Sequence, residues 1–136
     1  MKQQTADKQK LLRRALQGNA LFSMISGVAI LAMNRTLVDF LGLPGNASLA
    51  VLGIGLLAYA AWLLWTATRR QIKMVDAWIA VILDMAWVVG SYALLFAVQF
   101  SSGGKWVMVA VAELVFLFGV MQWLGLRRIR VSRQPV

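Results

Sequence analysis

Residues 47–68 read ASLAVLGIGLLAYAAWLLWTAT, and RRQIK follows at 69–73. The first stretch carries no charge, and the second closes it with two arginines and a lysine. At a 1.5 Å rise per residue, a helix of this length covers roughly the 30 Å hydrocarbon core of a bilayer. Three more stretches read the same way, so the spans fall at about 15–33, 47–68, 77–100 and 106–126. Their only formal charges are Asp84 and Glu113. The expected fold is an all-α membrane protein, a four-transmembrane-helix bundle running up-down-up-down.

The gaps between spans alternate in charge. Lys2, Lys8, Lys10, Arg13 and Arg14 precede the first span, Arg69, Arg70 and Lys73 separate the second from the third, and Arg127, Arg128, Arg130 and Arg133 follow the fourth. Of the 14 lysines and arginines only Arg35 and Lys105 fall in the other two gaps. Short loops follow the positive-inside rule, so both termini are expected in the cytoplasm. Residues 1–14 then form a basic cytoplasmic or interfacial segment, expected to lie along the membrane surface before the chain turns in. Residues 15–126 form the transmembrane domain, and 127–136 a basic cytoplasmic tail in which Pro135 discourages further helix. A signal peptide is the competing reading of the N-terminus. The apolar run is too long for it, and no convincing cleavage site follows.

Composition agrees. The chain of 136 residues is 60% hydrophobic, with mean hydropathy +0.71. The four spans leave no room for a separate soluble domain. A net charge of +9 raises nucleic acid as a partner, but these basic residues flank apolar spans, where anionic lipid headgroups lie. Arg13, Arg14, Arg69, Arg70, Lys73, Arg127, Arg128 and Arg130 are the expected headgroup contacts. There is no Cys and no His. Thiol catalysis, imidazole acid–base chemistry, the usual zinc sites and histidine-ligated haem are therefore excluded. No phosphate-binding glycine loop or serine with a plausible base appears, and no cofactor is expected. Met24, Met85, Met108 and Met121 are scattered singly, as packing residues are.

Trp65, Trp78 and Trp123 fall near one membrane boundary and Trp106 near the other, as an aromatic belt requires. Trp62 and Trp87 lie deeper and need internal packing. In the gap at 34–46, Arg35 and Asp39 have the i, i+4 spacing of a pair on a short interfacial helical turn, and Pro44-Gly45 starts the return. Ser101-Ser-Gly-Gly104 reads as a tight turn.

Polar groups inside the bilayer are the main functional signal. A charge near the middle of a span costs at least ~2.5–3.5 kcal/mol on insertion scales. Each lies about seven residues inside its span but from opposite sides, so Asp84 is expected on the cytoplasmic side of the middle and Glu113 beyond it, which argues against a direct carboxyl pair. Asn19, Ser23, Ser26, Ile30 and Asn34 form one stripe on the first span. Matching depths gives two expected clusters. Asn19 meets Asp84 on the inner half, with Gln122 and Tyr59 as additions, and Ser91 or Tyr92 meets Glu113 on the outer half. Such contacts often serve only to fix helix register. The other readings are an ion or proton pathway and a small-molecule or lipid pocket. Ser23-x-x-x-Gly27, the Gly53, Gly55 and Ala58 side of the second span, and Gly119 permit close helix packing, within the monomer or between copies.

The stretches Asn19-Ala-Leu-Phe-Ser23, Ile25-Ser-Gly27, Gly42-Leu-Pro44, Leu83-Asp84, Trp87-Val-Val-Gly-Ser91 and Gln122-Trp-Leu-Gly-Leu126 with Arg127-Arg128 together resemble a loose family of small uncharacterised four-span bacterial inner-membrane proteins. The resemblance implies that location and no activity. The small multidrug transporters share the size and span number, but their essential carboxylate lies in the first span, which here has none. The expected function is that of a non-enzymatic integral membrane protein, an accessory, interaction or membrane-organising component. The alternative is a small oligomeric transporter or channel component that uses Asp84 and Glu113. The expected partners are the anionic lipid bilayer and a second copy or another membrane protein, with no nucleic acid.

Overall fold

The computed structural model describes residues 2–131, apart from the side chains of Lys2, Thr5 and Lys8. Five helices follow in order: α1 (Lys2–Ala32), α2 (Asn34–Leu41), α3 (Ala47–Thr68), α4 (Met74–Ala97) and α5 (Ser102–Val131). Four of them are long and apolar enough to cross a membrane, α1 doing so over Gln9–Ala32. They form the all-helical bundle that the four apolar stretches predict. Arg133 and Pro135 lie outside the described residues, so the expected stop at Pro135 does too.

α1 and α5 form the middle of the bundle. α3 packs along α1, α4 packs along α5, and α3 and α4 meet only over a short stretch. Glycines set the two closest approaches. A Cβ on Gly125 would lie 2.9 Å from the Cα of Leu12 and 3.0 Å from its backbone nitrogen. The α1 backbone thus rests directly on α5, and the start of α1 and the end of α5 come to the same end of the bundle. A Cβ on Gly27 would lie 2.9 Å from the carbonyl oxygen of Gly53, where α1 crosses α3. Gly55, on the other side of α3, has open space above it. The Gly27 and Gly53 pair therefore serves packing within the monomer, and the Gly55 side faces outward.

The core is densest at the end that holds the basic residues. Leu12, Leu16, Leu63, Ala67, Ala77, Ala80 and Leu126 are almost fully enclosed there. The outer surface is apolar, as lipid contact requires. Phe96 is 91% and Trp106 76% exposed, large side chains that a water-soluble surface would rarely present.

Three expectations are corrected. The N-terminal segment does not turn along the membrane surface, because α1 is uninterrupted from Lys2. Gln9 is buried, and its Oε1 accepts the backbone N–H of Ile72 at 3.4 Å. Packing on Gly125 and this bond hold the first turns on the bundle axis. Second, Ser101-Ser-Gly-Gly104 is the start of α5. The Ser101 hydroxyl accepts the Gly104 N–H at 3.0 Å, a serine N-cap. Gly103 and Gly104 make room for α2, since their Cβ atoms would sit 2.8 Å from the Phe40 ring and 3.2 Å from the Leu41 Cα. Third, Arg35 and Asp39 do not pair; the ion pairs among the described residues are Lys10–Asp7 and Arg69–Asp76. Both Arg35 and Asp39 are exposed, where a pair gains little. α2 is a full 8-residue helix, longer than a turn, and ends on Gly42 at φ 74°. There the Leu43 N–H bonds the Val38 carbonyl at 3.0 Å, the left-handed close that glycine favours.

Candidate functional site

Asp84 sits in the middle of the molecule. α4 runs from Met74 to Ala97, so Asp84 is roughly 2 Å from its midpoint at 1.5 Å per residue. The sequence reading put it farther toward the basic end, because the span begins three residues earlier than the 77–100 estimate. It is 2% exposed. Each of the other long helices sends one side chain to its carboxylate. Asn19 Nδ2 on α1 donates to Oδ1 at 3.0 Å and Oδ2 at 2.8 Å. The Tyr59 hydroxyl on α3 donates to Oδ1 at 2.9 Å, and Gln122 Nε2 on α5 donates to Oδ2 at 2.9 Å.

Three neutral donors thus surround one carboxyl, and no lysine or arginine pairs with it among the described residues. Burying an acidic group in apolar surroundings demands such partners. Around the carboxyl the shell continues. Ser23 donates to Asn19 Oδ1 at 3.4 Å, and the Tyr59 hydroxyl also lies 3.4 Å from the Ala80 carbonyl. Tyr59 stacks on Trp62, with ring centroids 6.0 Å apart. Among the described residues the fully buried Gln122 Oε1 has no hydrogen-bond partner, nor has the indole N–H of Trp87. Ser26 is half-buried one turn farther along α1. Asn34 leaves the stripe altogether, starting α2 and donating to the Asn46 carbonyl at 3.3 Å.

The second carboxyl is a separate site. Glu113 accepts a short hydrogen bond from the Tyr92 hydroxyl, roughly 12 Å along α4 from Asp84. Glu113 is exposed on the bundle surface, among residues that face outward. Ser91 is not part of this pair. It lies seven residues after Asp84, hence on the same inward face of the helix, and is buried there. Tyr92, one position on, is turned about 100° toward α5.

At the basic end the arginines divide. Arg14, Arg70, Lys73, Arg127, Arg128 and Arg130 are exposed. Arg13 instead caps the end of α3, its guanidinium donating to the Ala67 carbonyl and, at 2.9 Å, to that of Arg69. Unpaired carbonyls at a helix C-terminus attract such a cation. Arg69 lies 3.7 Å over the Trp65 ring and 3.7 Å from Asp76. Sequence reasoning assigned both to lipid headgroups, since a residue's side of the helix is visible there but a neighbouring helix end is not. The clue in Gln9 and Arg13 was their i, i+4 spacing, which puts them on one face of α1.

Two cavities lie at the ends of the bundle, one beside Asn34, Asn46 and Ala50 and the other between Met74, Trp78, Trp123 and Arg130. Neither is lined by a member of the Asp84 cluster. Among the described residues no group of three acidic, His or Cys side chains is placed to hold a metal. Comparison with known protein families, with curated proteins and with solved structures finds no match for this chain.

Proposed function

We propose that this is a non-enzymatic multi-pass protein of a bacterial inner membrane, an accessory or membrane-organising component with both termini in the cytoplasm. The Asp84 cluster supports this reading most directly. Its carboxylate is filled by donors from three helices, the two end cavities do not reach it, and its geometry ties α1, α3, α4 and α5 in one register. That is what a structural node does. The concentration of cations at one end supports the orientation and contact with anionic lipid, and membership of the resembled inner-membrane family belongs to the same proposal.

A second reading, an oligomeric transporter or channel component, is favoured by one observation. Glu113 and Tyr92 pair on the outer surface, where a second copy would have to contribute to any pathway. Proteoliposomes separate the two readings. The expected result is no flux of protons, potassium ions or quaternary ammonium dye above that of empty vesicles. A flux that Asp84→Asn or Glu113→Gln abolishes in folded protein overturns the structural reading. Reporters fused to either end should be active only in the cytoplasm.

A further inference from the structure

We infer that the groove between the start of α4 and the end of α5 is a binding site for the headgroup of an anionic phospholipid. The inference rests on the reading above that the basic end faces anionic lipid. The groove measures about 430 Å³ and is lined by Met74 and Trp78 of α4 and by Trp123, Leu126, Arg127, Arg130 and Val131 of α5.

The chemistry is divided along the groove. Trp123, Arg127 and Arg130 follow i, i+4, i+7 and share one face of α5, while Met74 and Trp78 face them from α4 at i, i+4. The helices run antiparallel, and the Tyr92–Glu113 and Asp84–Gln122 contacts fix their register, which puts Met74 level with Arg130, Trp78 level with Arg127, and Trp123 about a turn deeper. Arg130 therefore sits at the outermost level beside Met74 and Arg127 about a turn inward, while Trp78, Leu126 and Trp123 form the walls toward the membrane. This is the order of a phospholipid, with phosphate outside and glycerol and chains inward. Tryptophan prefers the headgroup level for the same reason.

The arginines are available to a ligand. Arg127 lies 5.3 Å over the Trp123 ring, which orients the guanidinium without using up its donors. Neither arginine pairs with a carboxylate among the described residues. By contrast Arg13 and Arg69, at the same end, are engaged by backbone carbonyls, a tryptophan and Asp76. A guanidinium pair recognises phosphate through paired N–H donors. A soluble phosphate would use the arginines alone and leave the indole walls without a role, so a lipid is the occupant that uses the whole groove.

The test titrates the full-length protein in a neutral detergent with short-chain phosphatidylglycerol, short-chain phosphatidylcholine and inorganic phosphate. Phosphatidylglycerol should bind at least tenfold more tightly than either of the others. Arg127→Gln with Arg130→Gln should weaken it roughly thirtyfold, the worth of two cations beside an anionic headgroup. Arg14→Gln with Arg70→Gln removes equal charge from exposed positions outside the groove and should weaken it less than about threefold. Trp78→Phe should weaken phosphatidylglycerol and leave inorganic phosphate unchanged. Equal losses in the two double variants would mean a diffuse field rather than a site, and would overturn the inference. So would phosphatidylcholine binding as well as phosphatidylglycerol, or inorganic phosphate binding as tightly as the lipid. Circular dichroism checks that each variant is folded. Binding in detergent does not depend on orientation in the cell, so failure here and failure of the reporter experiment are distinguishable.

Discussion

Replacing Asp84 by alanine should destabilise the bundle far more than replacing it by asparagine. The alanine variant leaves three former donors facing an apolar space. Tyr59 retains the Ala80 carbonyl at 3.4 Å, so its hydroxyl is not stranded. Among the described residues Asn19 Nδ2 and Gln122 Nε2 bond only Asp84. Two buried amides left unpaired cost about 1–3 kcal/mol each, and the small void adds about 1 kcal/mol. Loss of the buried carboxylate's own desolvation works the other way. The expected net loss is about 2–4 kcal/mol. Asparagine has nearly the shape of aspartate and keeps one acceptor oxygen. Its new N–H group would face Gln122, whose Oε1 is free to accept it once the amide turns over. The expected loss is below about 1 kcal/mol. Reversible unfolding by dodecyl sulfate in mixed micelles, followed by circular dichroism, measures both. A double-mutant cycle sharpens the result. Tyr59→Phe should cost about 0.6–1.7 kcal/mol in the native background, the range for interhelical bonds in membranes, and close to nothing beside alanine at 84. The reasoning fails if the alanine variant matches the native protein, or if asparagine is as damaging as alanine.

Gly125→Ala should lose about 1–3 kcal/mol by overpacking, because the new methyl would meet the Leu12 backbone at 2.9 Å, whereas Gly55→Ala meets open space and should unfold like the native protein in the same assay. Arg13→Gln uncaps the end of α3 and should cost about 1–2 kcal/mol, with faster amide hydrogen exchange in the last turn of α3 and unchanged exchange near Gly27. Glu113→Gln removes an exposed acidic group from the apolar surface, so it should fold normally and insert into the membrane at least as well as the native chain in a glycosylation-reporter insertion assay.

Much of the candidate site was legible before the tertiary structure. Asn19, Tyr59, Asp84 and Gln122 are polar residues at matching depths in four apolar runs, and a bilayer leaves such groups few partners except one another. The Tyr92 and Glu113 contact follows from the same depth argument. Ser91 was misplaced because depth was matched without the 100° turn that separates it from Tyr92. The roles of Arg13 and Gln9 were invisible for another reason. Each bonds backbone groups at the end of α3 or in the connection that follows it, more than fifty positions away in the chain, and only the packing of α1 against α3 and α5 brings those groups near.

Length and hydropathy by themselves determined four crossing helices, because hydrocarbon tolerates no unpaired backbone and a helix satisfies its own. Four crossings, an even number, likewise bring the start of α1 and the end of α5 to one side of the bundle. Which helices touch was decided only by tertiary packing. Lipid and protein interior are similarly apolar, so hydrophobicity cannot tell an inward face from an outward one. Glycine contacts at 27, 53 and 125, and the hydrogen-bond geometry at Asp84, make that choice.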